Sequence, residues 1–400
     1  MGCVRKFWNL CVDAFNNNTS IKTEKEYREE FPYMKDVSAA ALQQKRRDYV
    51  QTKTQYFSKN RKTKLGRMKF KKRGKSRDSY RLPNQKFKIN YENSTIRLEK
   101  VGDVRVVYDR PIPETAKLLS CTISKDAAGA FFVSVSFETE RNIIPLSGKH
   151  IGIDFGFDNL FSMSDGAEVT NPRIFRKNQA NLRSGQKHLS RKIFKSNRYE
   201  KQKRKVGRLH VKIANTRSYH IHNYTTKLVR NYDLICVEDL NLEAMKRKFG
   251  KSASDASIGE AIKQLQYKSD WYGKVFVKID RYFPSTQLCS SCGSKSGPKG
   301  LDGLNVRAWK CSGCGIFHNR DINAAKNILK EGYRILTGSE NPANINKSAE
   351  SASNEASSPN KSAELVDYRH GESVRHLFNI ADINENAEFS EVLKIYNVIE

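Results

Sequence analysis

Apolar residues recur at three- and four-residue spacing in two early stretches, RKFWNLCVDAFNN and DVSAAALQQKRRDYVQTKTQYFSK, with Pro32 ahead of the second. That spacing predicts two helices. The period then shortens to two in KFKINY, TIRLEK, DVRVVYD, KLLSCTIS and AFFVSVSFETE, segments separated by Gly, Asp and Asn. Alternation of this kind predicts short strands, so this half reads as helices followed by a β-barrel or sandwich. From His150 a second order begins. IGIDFG, NLFSMSDG and AEVTN read as three short antiparallel strands, followed by a long basic helical region from about Lys177 to Arg230. The strand DLICVE, a helix near Ile258 to Tyr272, the strand KVFVKID and a helix from Asp321 complete the series. This is the element order of an RNase H-like fold, and other mixed α/β folds stay open on pattern alone. No repeat of fixed period is present.

Composition sets the class. A chain of 400 residues with 38% hydrophobic content can bury real cores and suggests two or three domains. No run approaches the roughly 18 apolar residues of a membrane span, and MGCVRKFWNL lacks the apolar core of a secretory signal. A soluble, cytoplasmic protein with no membrane partner is expected. The 72 Lys+Arg against 43 Asp+Glu give a formal +29, which calls for a polyanionic partner. The charge is uneven. Residues 338–400 hold 5 Lys+Arg against 11 Asp+Glu and open with a Ser-, Asn-, Ala- and Glu-rich run, which reads as a disordered extension. The later VRHLFNIADINENAEFSEVLKIYNVIE reads as a weak helix or as tail under little constraint.

Two basic runs stand out. Residues 59–88 carry 14 Lys+Arg and one Asp, and residues 173–217 carry 16 Lys+Arg and one Glu. Such faces are too positive for an ordinary salt-bridged surface, and phosphate backbone is the natural counterion. Lys71, Lys72 and Arg73 represent the first run; Arg191, Lys192, Lys203, Arg204 and Lys205 represent the second. Tyr56, Phe57, Phe70 and Tyr80 lie near the first run, either stacking on bases or filling a core. His210, His220 and His222 lack metal-site spacing and read as helix-surface or phosphate contacts.

The strongest chemical signal is Cys289-x2-Cys292, eighteen intervening residues, then Cys311-x2-Cys314. A two-residue gap lets two thiolates from one tight turn reach the same ion, and Gly293 and Gly315 let the backbone wrap it. Four thiolates close a tetrahedral zinc shell, so a structural zinc is expected; four free thiols are the bland reading. Lys295, Lys299, Arg307, Trp309 and Lys310 in the intervening loop read as nucleic-acid contacts or as a solvated basic loop. His318 is surplus to the shell.

Three acidic residues gain meaning together. Read alone, Asp154 is a turn residue after a strand, Asp321 a helix N-cap, and Glu238 a carboxylate at the end of an apolar strand with nothing to gain from burial. In an RNase H-like sheet the first strand, the fourth strand and the last helix meet at one edge, so the three carboxylates would converge. Clustered carboxylates are tolerated when a hard divalent cation neutralises them. Two Mg²⁺ ions about 4 Å apart can activate water and stabilise the leaving oxygen of a phosphodiester, which is hydrolytic cleavage of nucleic acid.

Together, IGIDFGFDNLFSMSDG, IANTRSYHIHNYTTKLVRNYDLICVEDLNLEAM, FPSTQLCSSCG and WKCSGCGIFHNRDINAAKNIL resemble the TnpB family. These are the OrfB-type proteins of bacterial insertion sequences, RNA-guided DNA endonucleases related to type V CRISPR effectors. DVSAAALQQKRRDY and FKKRGKSRDSYRLP are similar to the family's N-terminal half, and the likeness spans roughly residues 2–335. It implies that Asp154, Glu238 and Asp321 form a RuvC-like catalytic triad holding magnesium and that the four cysteines bind zinc in an inserted ribbon. It also implies a guide RNA from the transposon end, a DNA target beside a short motif, and a nucleoid-associated bacterial protein. The helix at Asp36 to Ser58 is the candidate reader of that motif, through Gln43, Gln44 and Lys45. Two departures stand against the pattern: family members begin with a strand and a helix ahead of GCVRKFWN, so a barrel strand is expected to be missing, and Asn319 stands where Asp is frequent.

The fold class expected is α+β and multidomain. Residues 1–148 form a wedge β-barrel with a helical recognition insertion, 149–285 the first part of a RuvC-like nuclease, 286–317 a zinc ribbon, 318–337 the last nuclease helix, and 338–400 an acidic tail. An active metal-dependent nuclease, a guided binder without cleavage, and a zinc-ribbon DNA-binding accessory of transposition that uses no RNA are the competing functions. The triad and bound RNA separate them.

Overall fold

The computed structural model describes residues 1–58, 66–74, 76, 78–108, 111–126, 128–139, 143–300, 302–337 and 393–397. These fall into two compact units. The first comprises the described residues up to 139, residues 185–211 and the strand at 393–397; the second holds the rest.

In the first unit, helix α1 (Gly2–Asn16) buries Val4, Phe7, Trp8, Cys11 and Val12, the three-four stripe expected of an amphipathic helix. A short helix α2 (Glu24–Glu30) follows, opened by a capping box in which Thr23 and Glu26 exchange hydrogen bonds. Its polar sequence, with only Tyr27 buried, carries no periodicity, and the Thr-x-x-Glu cap was its sole signal. Helix α3 (Ala39–Phe57) packs its Ala40, Ala41, Leu42 and Tyr49 face inward. Strands β1 (Asp78–Pro83), β2 (Phe87–Asn90), β3 (Thr95–Leu98), β4 (Gly102–Arg105), β5 (Lys117–Lys125) and β6 (Phe131–Glu138) follow. Strand β1 emerges from the first basic run, where charge hides the alternation that buries Tyr80 and Leu82. Two antiparallel sheets result, β1-β5-β6 and β2-β3-β4. Leu82, Phe87, Ile96, Leu98, Cys121, Val133 and Phe137 share one core with α1 and α3.

The expected disordered extension at 338–392 lies outside the described residues. Near its end, Leu393–Asn397 is not helical but a strand antiparallel to β6, in keeping with the alternation of LKIYN.

In the second unit, strands β7 (His150–Asp154), β8 (Asn159–Met163) and β9 (Glu168–Thr170) form an antiparallel run. Helices α4 (Ile174–Ser190) and α5 (Asn197–Asn231) come next, and their adjoining ends belong to the first unit. Then come β10 (Leu234–Glu238), α6 (Leu242–Ala256), α7 (Ile258–Tyr272) and β11 (Val275–Ile279). Helix α6 escaped the sequence reading: Asn241 caps it and non-helical geometry at Phe249 kinks it, which interrupts the apolar stripe. A hairpin of β12 (Ala308–Lys310) and β13 (Phe317–Asn319) precedes the last helix, α8 (Arg320–Thr337). The large sheet has the order β11-β10-β7-β8-β9, with β10 parallel to both β7 and β11.

This sheet is covered on both faces, which is why β7 and β10 read as continuous apolar runs. Ile151, Ile153, Ile235 and Val237 pack with Ile221, Leu228, Ile258 and Leu265 of α5 and α7. Leu234, Cys236 and Val277 pack with Ile328 and Tyr333 of α8. The segment before β7 is fastened to this unit: Asp233 accepts hydrogen bonds from the Ser147 and Gly148 amides at 2.6 Å and pairs with buried Lys274 at 2.6 Å. The division between units thus falls near residue 140, upstream of the 148 read from sequence. No helix among the described residues is long and apolar enough to cross a membrane.

Candidate functional site

Asp154 and Glu238 are the last residues of β7 and β10. The strands pair in parallel, Gly152 opposite Cys236 and Ile153 opposite Val237, so the two carboxylates stand side by side one step past the last pair. Because neighbouring strand residues face opposite ways, Gly152, Asp154, Cys236 and Glu238 all turn to the α8 side. There the approach is unusually tight. A Cβ on Gly152 would lie 2.1 Å from the Ala325 carbonyl oxygen and 2.8 Å from the Leu329 amide nitrogen. One on Gly332 would lie 2.1 Å from Cys236 Sγ. Glycine at these two positions lets the helix lie directly on the strands. Asp321 sits one turn before Ala325 and is carried to the strand end where Asp154 and Glu238 stand.

Asp321 is not the cap of α8. Asn319 Oδ1 accepts from the Asp321 and Ile322 amides at 3.0 and 3.2 Å, so the asparagine that departs from the family pattern performs the capping. The Asp321 carboxylate is left for other partners. Arg320 donates to Oδ1 at 2.9 Å, and Arg307 lies 3.3 Å from Oδ2 while its other amino group reaches Asp158 at 2.8 Å. Arg307 was read as a loop contact; its pairing with Asp321 was not visible from sequence, because 14 residues and the second cysteine pair separate them.

Electrostatics make Asp154 the shared member of the trio. Burial pushes it up to about 8, and the charges of Asp321 and then Glu238 add to the shift. Burial, then neighbouring Asp239, pushes Glu238 up to about 7. Arg320 offsets only part of the Asp154 shift, and a hard divalent cation is the group that would ionise both carboxyls at neutral pH. The donor set fits such an ion. The three carboxylates are spaced more widely than a one-ion cage: among the described residues only the four cysteines bring their ligand atoms all within 4.8 Å of one another.

That cysteine cluster is built from two matching turns. The Cys289 amide bonds Ser294 O and the Gly293 amide bonds Cys289 O, both at 2.9 Å. The Cys311 amide bonds Ile316 O and the Gly315 amide bonds Cys311 O, again at 2.9 Å. Gly293 and Gly315 have φ of 75° and 74°, the left-handed region in which glycine lets the backbone wrap an ion. Cys289 and Cys314 Sγ lie 3.7 Å apart, and Cys292 and Cys311 Sγ 3.6 Å apart. Four sulfurs about 2.3 Å from one tetrahedral ion would stand roughly 3.8 Å apart, so the cluster can bind a metal such as zinc. Hydrogen bonds from Ser296 Oγ and the Cys314 backbone hold the Cys311 thiol down to about 5.

His318 is more than surplus. Its Nε2 lies 3.0 Å from Cys289 Sγ, and its ring packs on Trp309 at 5.0 Å. Trp309 is buried with Cys289 and Cys311, which removes it from the nucleic-acid contacts. Lys295, Lys299 and Lys310 are exposed.

The basic candidates all lie in the first unit. Gln43, Lys72, Arg73, Arg191, Lys192, Arg204 and Lys205 are exposed, and Gln44 and Lys203 are half-buried. Lys45 is different: it is buried, paired with Asp48 and set over the Trp8 ring, so its charge is spent inside the fold. Half-buried Lys71 lies 4.6 Å from the centroid of the same Trp8 ring, and burial lowers its pKa. Tyr80 is a core residue; Tyr56 and Phe57 cluster with Phe15, and Phe70 is exposed. His210 and His222 are exposed, whereas His220 stacks on Tyr224.

Two family models match the chain: a probable transposase model, OrfB_IS605, over residues 133–248, and the Cas12f1-like TNB domain over residues 259–328. A protein of Streptomyces pristinaespiralis named "Putative RNA-guided DNA endonuclease" is 34% identical, covering 83% of this chain and 84% of its own. InsQ of Escherichia coli K12, named in the same words, is 32% identical over 77% and 78%. The cryo-EM structure of a Cas12f1–sgRNA–target DNA complex contains a chain that superposes with a TM-score of 0.50 at 15% identity, covering 81% of each, which is a likeness of fold. The order of the motifs, the paired cysteine turns and these relatives agree: the chain belongs to the TnpB family.

Proposed function

We propose that the protein is an RNA-guided DNA endonuclease whose RuvC-like, RNase H-like second unit cuts DNA by two-metal hydrolysis beside a short DNA motif. The observation that carries the reading is the contact of α8 with β7 and β10 at Gly152 and Gly332, which gathers Asp154, Glu238 and Asp321 at one sheet end. Asp154, Glu238 and Asp321 are the residues that would together hold the Mg²⁺ ions. Such ions supply an activated water and stabilise the leaving oxygen of a phosphodiester. Arg307 and Arg320 pair with Asp321, and the exposed Arg307 is a cation that could meet a phosphate brought in by the metal ions.

In this reading Cys289, Cys292, Cys311 and Cys314 hold a structural zinc in an inserted ribbon, since four thiolates leave no open position for substrate. The exposed cations of the first unit, Lys72, Arg73, Arg191, Lys192, Arg204 and Lys205, grip guide RNA and the guide–target duplex by their phosphates, while base pairing reads the sequence. Of the three candidates on α3, Gln43 is the exposed one and would read the flanking motif. The guide comes from the transposon end.

The test is cleavage of a plasmid carrying a guide-matched target. The protein cuts with Mg²⁺ or Mn²⁺, stops on chelation, and leaves 5′-phosphate and 3′-hydroxyl ends; Asp154→Ala binds the target and does not cut. Equal cutting by parent and variant would sink the site assignment. Binding without cutting by the parent would make the protein a guided binder instead.

A further inference from the structure

Helix α8 meets the first cysteine turn through Asn323, Asn327 and Lys330, which follow at four- and three-residue steps and so lie on one helix face. Asn323 uses both ends of its amide. Oδ1 accepts from the Ser290 amide at 2.8 Å, and Nδ2 donates to Leu288 O at 2.7 Å, gripping the backbone on either side of Cys289. Asn327 Nδ2 donates to Ser285 O at 2.8 Å and to Leu288 O at 2.7 Å. Lys330 Nζ donates to Ser290 O at 2.7 Å. Asn323 and Asn327 are 1% and 3% exposed. The helix is therefore bonded to the polypeptide that carries a metal-site thiol, and Asp321 lies two residues ahead of Asn323 in the same first turn.

We propose that Asn323 and Asn327 are positioning residues that transmit the order of the cysteine cluster to α8 and so hold Asp321 in place for its divalent cation. The inference rests on the carboxylate reading given under Proposed function. A metal in the cluster fixes the Cys289 turn because binding and folding of such modules are coupled. The two asparagines convert that local order into a fixed height and rotation for the first turn of α8. Partners that orient metal ligands from one layer out typically govern affinity by about ten- to a hundredfold. The Lys330 contact lies two turns further on and serves as a tether with less leverage on Asp321.

The experiment is a Mn²⁺ titration of the full chain with its co-purified RNA, followed by the electron-paramagnetic signal of free Mn²⁺, with zinc content measured on each sample. Parent, Asp154→Ala, Asn323→Ala and Asn327→Ala are compared with zinc bound and after zinc has been stripped. Stripping zinc from the parent should weaken Mn²⁺ binding about tenfold. Asn323→Ala with its zinc retained should already be weakened to that degree, and stripping should change it little further. A merely structural asparagine would instead lower the melting temperature and leave the Mn²⁺ titration at the parent value, which overturns the proposal. If Asn323→Ala loses zinc, Asn327→Ala carries the same comparison; if both do, a parent whose Mn²⁺ affinity ignores zinc removal overturns it. Mn²⁺ binding by Asp154→Ala equal to the parent's would overturn the carboxylate reading itself, a result distinct from failure of the coupling alone.

Discussion

The cysteine cluster and the carboxylate trio are joined by the same helix yet are built in opposite ways. Each cysteine pair closes its own turn within six residues, with a glycine at positive φ and two backbone hydrogen bonds, so the geometry is local. The carboxylates come from positions 154, 238 and 321 and owe their meeting to strand pairing and to a helix laid on two strands. A local site survives the loss of its surroundings; a site assembled by packing does not. The carboxylates are also electrostatically costly, since burial lifts Asp154 and Glu238.

The sharpest way to break the comparison is Asp154→Ala, expected to lower cleavage about a thousandfold or more while guided binding stays within a fewfold of the parent. Cleavage and filter-binding assays on one preparation decide it. Next is Cys311→Ser. It should reduce bound zinc from about one per chain to none, read by metal analysis, and lower the melting temperature of the second unit. Gly152→Ala follows, because the added methyl meets backbone atoms at 2.1 and 2.8 Å. A loss of about 2 kcal/mol or more in denaturant melts is expected, with cleavage falling and zinc retained. A fully active Gly152→Ala would show that the sheet end does not depend on the helix contact.

A further effect concerns pH. Asp154 has its folded pKa raised to about 8 from 3.8, so in metal-free protein its contribution to stability falls as pH rises from about 4 through 8. Asp154→Asn should therefore be more stable than the parent at pH 8 with chelator, and the advantage should shrink toward pH 4. The smallest effect is expected from Arg204→Ala with Lys205→Ala. Removing two exposed phosphate contacts should reduce the salt slope of RNA binding by about two, whereas Lys45→Ala should cost stability and leave the slope alone.

Legibility followed the same divide. Both cysteine turns, with their glycines, were readable because each is a complete instruction within a few residues. The strands and helices of the second unit were readable from period, but their convergence needed a topology before Asp154, Glu238 and Asp321 had meaning together. Asn323 and Asn327 were passed over because an asparagine inside a helix has no distinctive spacing; their partners are backbone atoms 33 to 42 residues away. Lys45 misled for the reverse reason: a cation on a basic helix looks available until Asp48 and Trp8 claim it. Helix α2 and strand β1 were hidden by charge.

The lateness of α8 has a consequence during synthesis. Asp154 leaves the ribosome more than 160 residues before Asp321, a delay on the order of ten seconds at about 5–20 residues per second. Throughout that interval one face of β7 and β10, with Gly152 and Cys236, has no helix to cover it. The nascent chain already carries most of its basic first unit while the carboxylate end of the second is still two strands with a bare side. The meeting of the three carboxylates, in this arrangement, comes only with a helix that is already bonded to the cysteine turn translated just ahead of it.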